Sequence, residues 1–394
     1  MTTKQTQKTI LLTGGRAPVT LEVSRMFHRA GHRVLMAESI PFSLCQTSRS
    51  VTKFFRVPAP RWQPEAYICS LEAIIQNEQV DLLLPTCEEV FTISRYHSRL
   101  SSLCRVWTEP IERLAPLHHK WAFVQQAQGL GTRTPETFFI SDQLQLKKVI
   151  DQWHWNSQLI LKPVYSRFSA HTHVLTGPQD KMPRLPISTN QPWVAQELIV
   201  GKQICSYSIA NAGRLVAHVA YPSQFTAGKG ATIHFRPLQH PLLQQYIASW
   251  LARTHRSGQF AFDWLETAQG ELIPIECNPR MTSGVHLFTN LTLAQAFLIP
   301  EKITNPIVPP SSQSSMLTLA MLTYGFQSSL SANRLREWLK TMMTTPDIIF
   351  RWRDPLPFFQ QLWMLIYLYT TSKRKRISML EASTWDIEWN GEKT

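Results

Sequence analysis

Residues 262–280, FDWLETAQGELIPIECNPR, constrain the chain more than any other stretch, because they read as two strands joined by a turn at Gln269-Gly270. Side chains alternate across a strand, so Glu276 and Asn278, two apart, point to one face. Asp263, on the first strand, joins that face if the two strands pair as a hairpin. Glu276 lies inside the apolar run IPIECNP, where an unpaired carboxylate is costly. That cost argues against a pair of solvated acidic strands. Two carboxylates and one amide oxygen are hard donors, the set that magnesium takes together with water and nucleotide phosphates.

The 394 residues are too many for one hydrophobic core, so two to three domains are expected. At the N-terminal end, ILLTGGR reads as a strand and a tight turn, followed by an amphipathic helix ending near Gly31 and a second strand, VLMAES. This strand–turn–helix–strand order begins a parallel α/β sheet. Gly14-Gly15 lacks the G-x-G-x-x-G spacing, so a tight turn is preferred to a dinucleotide cradle. Pro110 and Pro116 mark a boundary near residue 115. Beyond it the pattern is α+β with antiparallel character, through LILKPV, PWVAQELI, SYSIA, RLVAHVAYP and the hairpin above. Residues 301–315, with several prolines and serines, read as a linker to a mostly helical tail.

Two lysines stand where phosphates could be met. Lys120 opens the helix after the boundary, and Lys162 ends the apolar strand LIL, where a buried ammonium needs an anionic partner. The strand VAQELIVGKQ, residues 194–203, runs into a glycine turn and could offer backbone groups to a flat base, or be an ordinary strand edge. Lys229, in TAGKG, suits a lid over phosphate or carboxylate, or is a solvated loop lysine.

In this order, over roughly residues 10–300, these pieces resemble the ATP-grasp superfamily of ligases. The residues that carry the likeness are Lys120, Lys162-Pro163, Gln196-Glu197-Leu198-Ile199, Asp263, and Glu276-Cys277-Asn278-Pro279-Arg280, with thirteen residues from Asp263 to Glu276. The resemblance implies a Rossmann-like pre-ATP-grasp domain over residues 1–115 and a two-lobed ATP-grasp domain over 116–300, its small lobe about 116–195 and its large lobe about 196–300. A linker and helical extension would occupy 301–394. It further implies ATP and Mg2+ (or Mn2+) as cofactors. Lys120 and Lys162 would touch phosphates, the backbone of Glu197 and Ile199 with the side chain of Gln196 would hold adenine, and Asp263, Glu276 and Asn278 would bind two Mg ions. Arg280 would stabilise the transferred phosphoryl group, with Lys229 closing over it. The implied reaction phosphorylates a carboxylate or enolate and joins it to an amine, releasing ADP and phosphate. The alternatives are an ATP-binding protein without turnover and a peripheral membrane-associated protein.

A narrower likeness, carried by TGGR, FRVPAP, PTCEEV, IECNPR and RWRDPLPF, points to the mycosporine-glycine-synthase branch and its carbamoyl-phosphate-synthase-like relatives. Two departures from the family pattern stand out. The lid after Lys162-Pro163 is Val164-Tyr165-Ser166-Arg167-Phe168-Ser169, without glycine, where Arg167 would compensate. The ribose-binding glutamate is replaced by Gln203, whose amide still bonds a hydroxyl.

The remaining features exclude other classes. The six cysteines are scattered without a C-x-x-C pair, so neither a zinc frame nor a disulfide frame is expected. His171 and His173 lack a third ligand nearby in sequence, and Cys87 in PTCEE lacks a partner histidine and reads as a packed residue. A net charge of +13 suits phosphate-bearing ligands. The basic residues are nonetheless dispersed, apart from Lys373-Arg374-Lys375-Arg376, and no nucleic-acid-binding motif accompanies them. With a polar start and no long apolar run the expected compartment is the cytoplasm, and a homodimer is the default assembly. The apolar segment 362–369 before that basic run is expected to be a helix covering the ATP-grasp domain; lying on an anionic bilayer, through residues 358–376, is the other reading.

Overall fold

Ile10, Leu11 and Leu12 are wholly buried, as are the leucines of the run Leu82–Leu84 within one per cent. Continuous apolar runs of this kind belong to parallel strands covered on both faces. In the computed structural model, which describes residues 6–166, 171–228, 230–288, 292–331 and 333–392, they are the centre of a five-stranded parallel sheet. Its strands are β1 (Thr9–Thr13), β2 (Arg33–Glu38), β3 (Lys53–Arg56), β4 (Leu82–Leu84) and β5 (Arg105–Val106), in the order β3-β2-β1-β4-β5. Leu11 and Leu35 pack under the helix Pro64–Glu78, while Ile10 and Leu12 share the opposite core with the helix Pro18–Arg29. The chain order reverses between β1 and β4, the place where open α/β sheets leave a crevice at the strand ends. Gly14 turns out of β1 there with φ +75°, and a Cβ on it would stand 2.7 Å from Thr86 Oγ1 and 2.8 Å from Cys87 Sγ. The glycine is thus required by close approach of the turn after β4.

Two antiparallel sheets follow. The first joins β6 (Thr137–Ile140), β7 (Leu159–Pro163), β8 (His173–Leu175) and β9 (Trp193–Glu197) in the order β6-β9-β7-β8. The second contains β10 (Lys202–Asn211) and β11 (Arg214–Pro222), a hairpin whose turn residues Ala212 and Gly213 both have positive φ, as tight hairpins favour. A short pair, β12 (Thr226–Ala227) and β13 (Ala231–Thr232), and the bridge strand β14 (His234–Phe235) come next. Then β15 (Gly258–Glu266) and β16 (Leu272–Asn278) complete the order β11-β10-β15-β16. This architecture is the α/β and α+β mixture that the hydrophobic patterning implies.

Pro116 lies inside the helix Ile111–His118, which Leu114 and Leu117 anchor in two separate cores. Two local expectations are revised. Residues 301–315 and the helix after them depart from expectation. Residues 301–315 are no free linker. Ile307 N–H donates to Val216 O and His218 N–H to Ile307 O, both at 2.9 Å, and β17 (Ser315–Met316) pairs with β14. Proline-rich composition hides this because the intervening non-proline residues still complete the edge of β11. The helix Leu356–Lys375 does not cover the antiparallel sheets. Its Met364 and Leu368 enter the core with Leu44 and Cys45 beside the parallel sheet. Buried Arg25 fixes the approach to it, donating to Asp354 Oδ2 at 2.9 Å, Ile348 O at 3.1 Å and Ile349 O at 2.8 Å.

Candidate functional site

The strands β15 and β16 pair with Asp263 opposite Glu276 and Ala261 opposite Asn278. A bulge falls directly after Asp263, a device that re-aims a side chain at the end of regular pairing. Asp263 and Glu276 hydrogen-bond through their carboxyls, and Asn278 Nδ2 donates to Glu276 Oε1 at 3.4 Å. Burial and the neighbouring Glu276 carboxylate push Asp263 well above the usual carboxylate range. Burial opposes ionisation of Glu276 too, but Lys120 and the bond from Asp263 hold it below that range. Without a cation, then, the pair keeps one proton between them. A divalent ion in reach of both would replace that proton, and two carboxylates with an amide oxygen fit magnesium's preference for few protein oxygens plus phosphate and water. Two neighbours on the same face escaped the sequence reading. Cys205 of β10 lies opposite Asp263 and its thiol bonds that carboxyl, and Tyr221 of β11 lies opposite Cys205. Gln203, two residues before Cys205, shares the face.

The other sheet supplies positive charge. Lys162, at the end of β7, lies opposite Val194 of β9, and Gln196 is two residues further along the same face. Lys162 is 8% exposed; burial, and then the Lys120 ammonium, lower its pKa to about 8 against the pull of Glu276 and Asp263. Lys120 is 4% exposed, and its Nζ lies 3.6 Å from Glu276 Oε2 and donates to Ser166 O at 3.0 Å. Lys120 heads the helix Lys120–Gly129, capped by His119 Nδ1, which accepts from Ala122 N–H at 3.2 Å. Two ammonium groups thus converge on the acidic hairpin from the facing lobe. Gln196 is buried and its Nε2 donates to Thr137 Oγ1 at 2.8 Å. The N–H groups of Glu197 and Leu198 donate to Glu136 O and Gln158 O, both at 2.8 Å. Ile199 N–H has no backbone acceptor among the described residues, so it is the amide of this stretch left for a base.

No family model matches the sequence, and no curated protein does. The fold does have solved counterparts. The chain superposes on the ADP complex of purK, N5-carboxyaminoimidazole ribonucleotide synthetase, with a TM-score of 0.60 at 14% identity, covering 84% of this chain and 87% of that one. An L-amino acid ligase from Bacillus licheniformis gives 0.56 at 13% identity, with 75% of each chain covered. A biotin carboxylase–ATP complex from Campylobacter jejuni gives 0.57 at 12% identity, covering 76% of this chain and 72% of that one. The fold is the ATP-grasp fold.

In an ATP-grasp frame the hairpin and Lys162 stand on the facing walls of the two lobes, with the parallel sheet's crevice at one end. Arg280, just past β16, points into that crevice, where its Nε donates to Glu88 Oε1 at 2.7 Å and its Nη2 to Asn278 Oδ1 at 3.3 Å. Burial would lower its pKa, yet Glu88 and Cys87 raise it further above the ordinary value. Glu88, 1% exposed, was not singled out in the sequence, where PTCEE offers no period to distinguish it from Glu89. Burial pushes the Cys87 thiol up, as befits the packed role expected of it. A second arginine cluster closes the crevice's far side. Arg16 forks onto Glu38, and also onto Asp386 at 2.5 and 2.9 Å, while Ser39 Oγ donates to Asp386 Oδ2 at 2.6 Å. Three residues on, the Trp389 ring lies 5.1 Å from Phe91 and 5.3 Å from Tyr165, so the C-terminal segment ties the parallel-sheet layer to the tip of β7. Its tip at Tyr165 and Ser166 opens on a cavity of about 600 Å3, walled on the other side by Arg376, Glu381 and Trp385. His171 faces that side too, 3.0 Å from Glu381, and no three His, Cys, Asp or Glu side chains cluster for a metal among the described residues. Lys229 and Arg167 lie outside the described residues.

Proposed function

We propose that the chain is an ATP-dependent ligase of the ATP-grasp type, forming a carbon–nitrogen bond between two small molecules. The observation that carries this reading is the cross-strand pair Asp263–Glu276 lying 3.6 Å from Lys120, with Lys162 on the facing wall. Asp263, Glu276 and Asn278 hold magnesium (or manganese) by their oxygens. The metal supplies positive charge between the ATP phosphates. Lys120 and Lys162 bind those phosphates, Ile199 N–H with the carbonyls of the Glu197–Ile199 stretch holds adenine, and Gln203 bonds a ribose hydroxyl. The bond from the γ-phosphorus to the β,γ-bridging oxygen breaks as a carboxylate or enolate oxygen of the first substrate takes the phosphoryl group, and ADP leaves. Arg280 grips two of the phosphoryl oxygens during the transfer. An amine then attacks the activated carbon, the bond from carbon to the phosphorylated oxygen breaks, and phosphate and a proton depart.

On this reading residues 1–115, 116–300 and 301–394 are the pre-ATP-grasp domain, the two-lobed catalytic domain and an extension, working in the cytoplasm where Mg-ATP is at hand. The crevice beside Arg280 receives the other substrates. The structures compared give no support to the narrower mycosporine-glycine-synthase likeness. An ATP-binding protein without turnover is disfavoured by the convergence of Asp263, Glu276, Asn278 and Arg280. The test is ADP and phosphate release, screened against pools of amino acids and small acids. Equal amounts of both, formed only with two co-substrates present, support the reading; AMP and pyrophosphate overturn it.

A further inference from the structure

The helix Leu356–Lys375 is apolar around its whole circumference, yet only one side of it is covered. Met364 and Leu368 are buried at 8% and 6% exposure, and Pro357 lies on the same side. On the opposite side Leu356, Phe359, Leu362, Trp363, Ile366 and Tyr369 are 50–59% exposed. At helical spacing these six form one continuous stripe along the helix. A large apolar stripe of this kind marks a surface that is covered in use. Among the described residues no helix is long and apolar enough to cross a membrane, so this one does not span.

The charges around the stripe say what covers it. From residue 355 to residue 380 there is no Asp or Glu, and Lys373, Arg374, Lys375 and Arg376 follow directly on the stripe. Lys373 and Arg374 are exposed, with Lys373 Nζ 5.4 Å from the Tyr369 ring centre. The other end is basic as well: Arg353 is exposed and Asp354 is engaged by Arg25. A second copy packed stripe to stripe would therefore set basic ends against basic ends, whether parallel or antiparallel. An anionic surface meets the same arrangement with attraction at both ends. Trp363 and Tyr369 on the stripe, and Trp352 at 89% exposure beside it, are the aromatic types that settle at the level of lipid headgroups. We propose that this helix lies on an anionic phospholipid bilayer, its outer stripe in the headgroup boundary and its basic end on lipid phosphates, in reversible peripheral attachment.

Sedimentation of the full chain with vesicles tests this, using phosphatidylcholine alone and phosphatidylcholine mixed with phosphatidylglycerol. The protein is expected to sediment with the mixed vesicles, to be released by salt, and to stay in solution with phosphatidylcholine alone. Lys373→Ala with Arg374→Ala should weaken partition roughly 25-fold, about fivefold for each basic residue near the surface. Phe359→Ser with Ile366→Ser should abolish sedimentation at an unchanged melting temperature, both side chains being more than half exposed. Failure to sediment with anionic vesicles, or equal sedimentation of both double variants, would overturn the proposal. So would a dimer of the wild type that the Phe359→Ser, Ile366→Ser variant dissociates without any lipid binding, since a second copy would then be the cover.

Discussion

Two buried clusters of arginine and carboxylate flank the same crevice, and they differ in how complete they are. Around Arg16 the charges are closed: its fork meets Glu38 and Asp386, and Ser39 bonds the latter. Around Arg280 they are open: Glu88 takes one guanidinium nitrogen, but the neighbouring Asp263 and Glu276 face each other and depend on two lysines of the other lobe. A closed cluster is an internal fastening, which holds residues 384–390 onto the parallel sheet. An open one is stable only with an ion or a phosphate brought from outside. The difference separates structural charge from working charge more sharply than burial does, because both arginines are largely buried.

The largest expected effect breaks the closed cluster. Arg16→Met strands two buried carboxylates and should cost about 3–5 kcal/mol of unfolding free energy in urea titration. It should leave the affinity for Mg-ATP in the still-folded protein within a few-fold of wild type. A stability loss below about 1 kcal/mol would mean that the cluster is not a fastening, since a median surface ion pair is worth that little.

Arg280→Ala sharpens the contrast from the other side. Turnover should fall about 100- to 1,000-fold, as when one charge-stabilising donor is removed from a transition state, while ATP binding changes far less. If rate and ATP affinity fall equally, Arg280 is a binding residue; if stability falls as far as in Arg16→Met, it is a second fastening.

A smaller effect comes from a buried group tied to neither cluster. His218 is 4% exposed, with Nδ1 2.9 Å from Ser208 Oγ, and burial followed by the charge of His240 lowers its pKa to about 4. The unfolded chain, with an ordinary histidine, takes up the proton first. Stability is therefore whole above about pH 6.5 and is lost as pH falls towards 4, by about 2 kcal/mol at pH 5. His218→Gln should flatten that part of the stability profile. An unchanged slope would assign the acid loss to other groups.

The same contrast explains what could be read in the chain beforehand. The open cluster is local: Asp263, Glu276, Asn278 and Arg280 fall within one hairpin, where two-residue alternation alone predicts a shared face. Lys162 was legible because a lysine ending a buried strand calls for an anion. The closed cluster joins residues 370 apart, Arg16 and Asp386, and no periodicity connects them. Glu88 and Cys205 were missed because each lies in a run whose neighbours are equally polar or equally small, and only pairing shows which one faces the site. The tail helix was read correctly as a helix. Its partner was misassigned, since an apolar stripe does not name the surface that it covers.

The central claim is that the acidic hairpin and the two lysines form a single Mg-ATP site, and nucleotide binding tests it without knowledge of the other substrates. The melting temperature of the wild type should rise with Mg-ATP, by the equivalent of about 2.7 kcal/mol at a hundred times the dissociation constant. The rise should shrink when EDTA removes the metal, and be absent in Glu276→Gln, whose own melting temperature stays near that of the wild type. No rise at millimolar Mg-ATP, or the same rise in Glu276→Gln as in the wild type, would contradict the account.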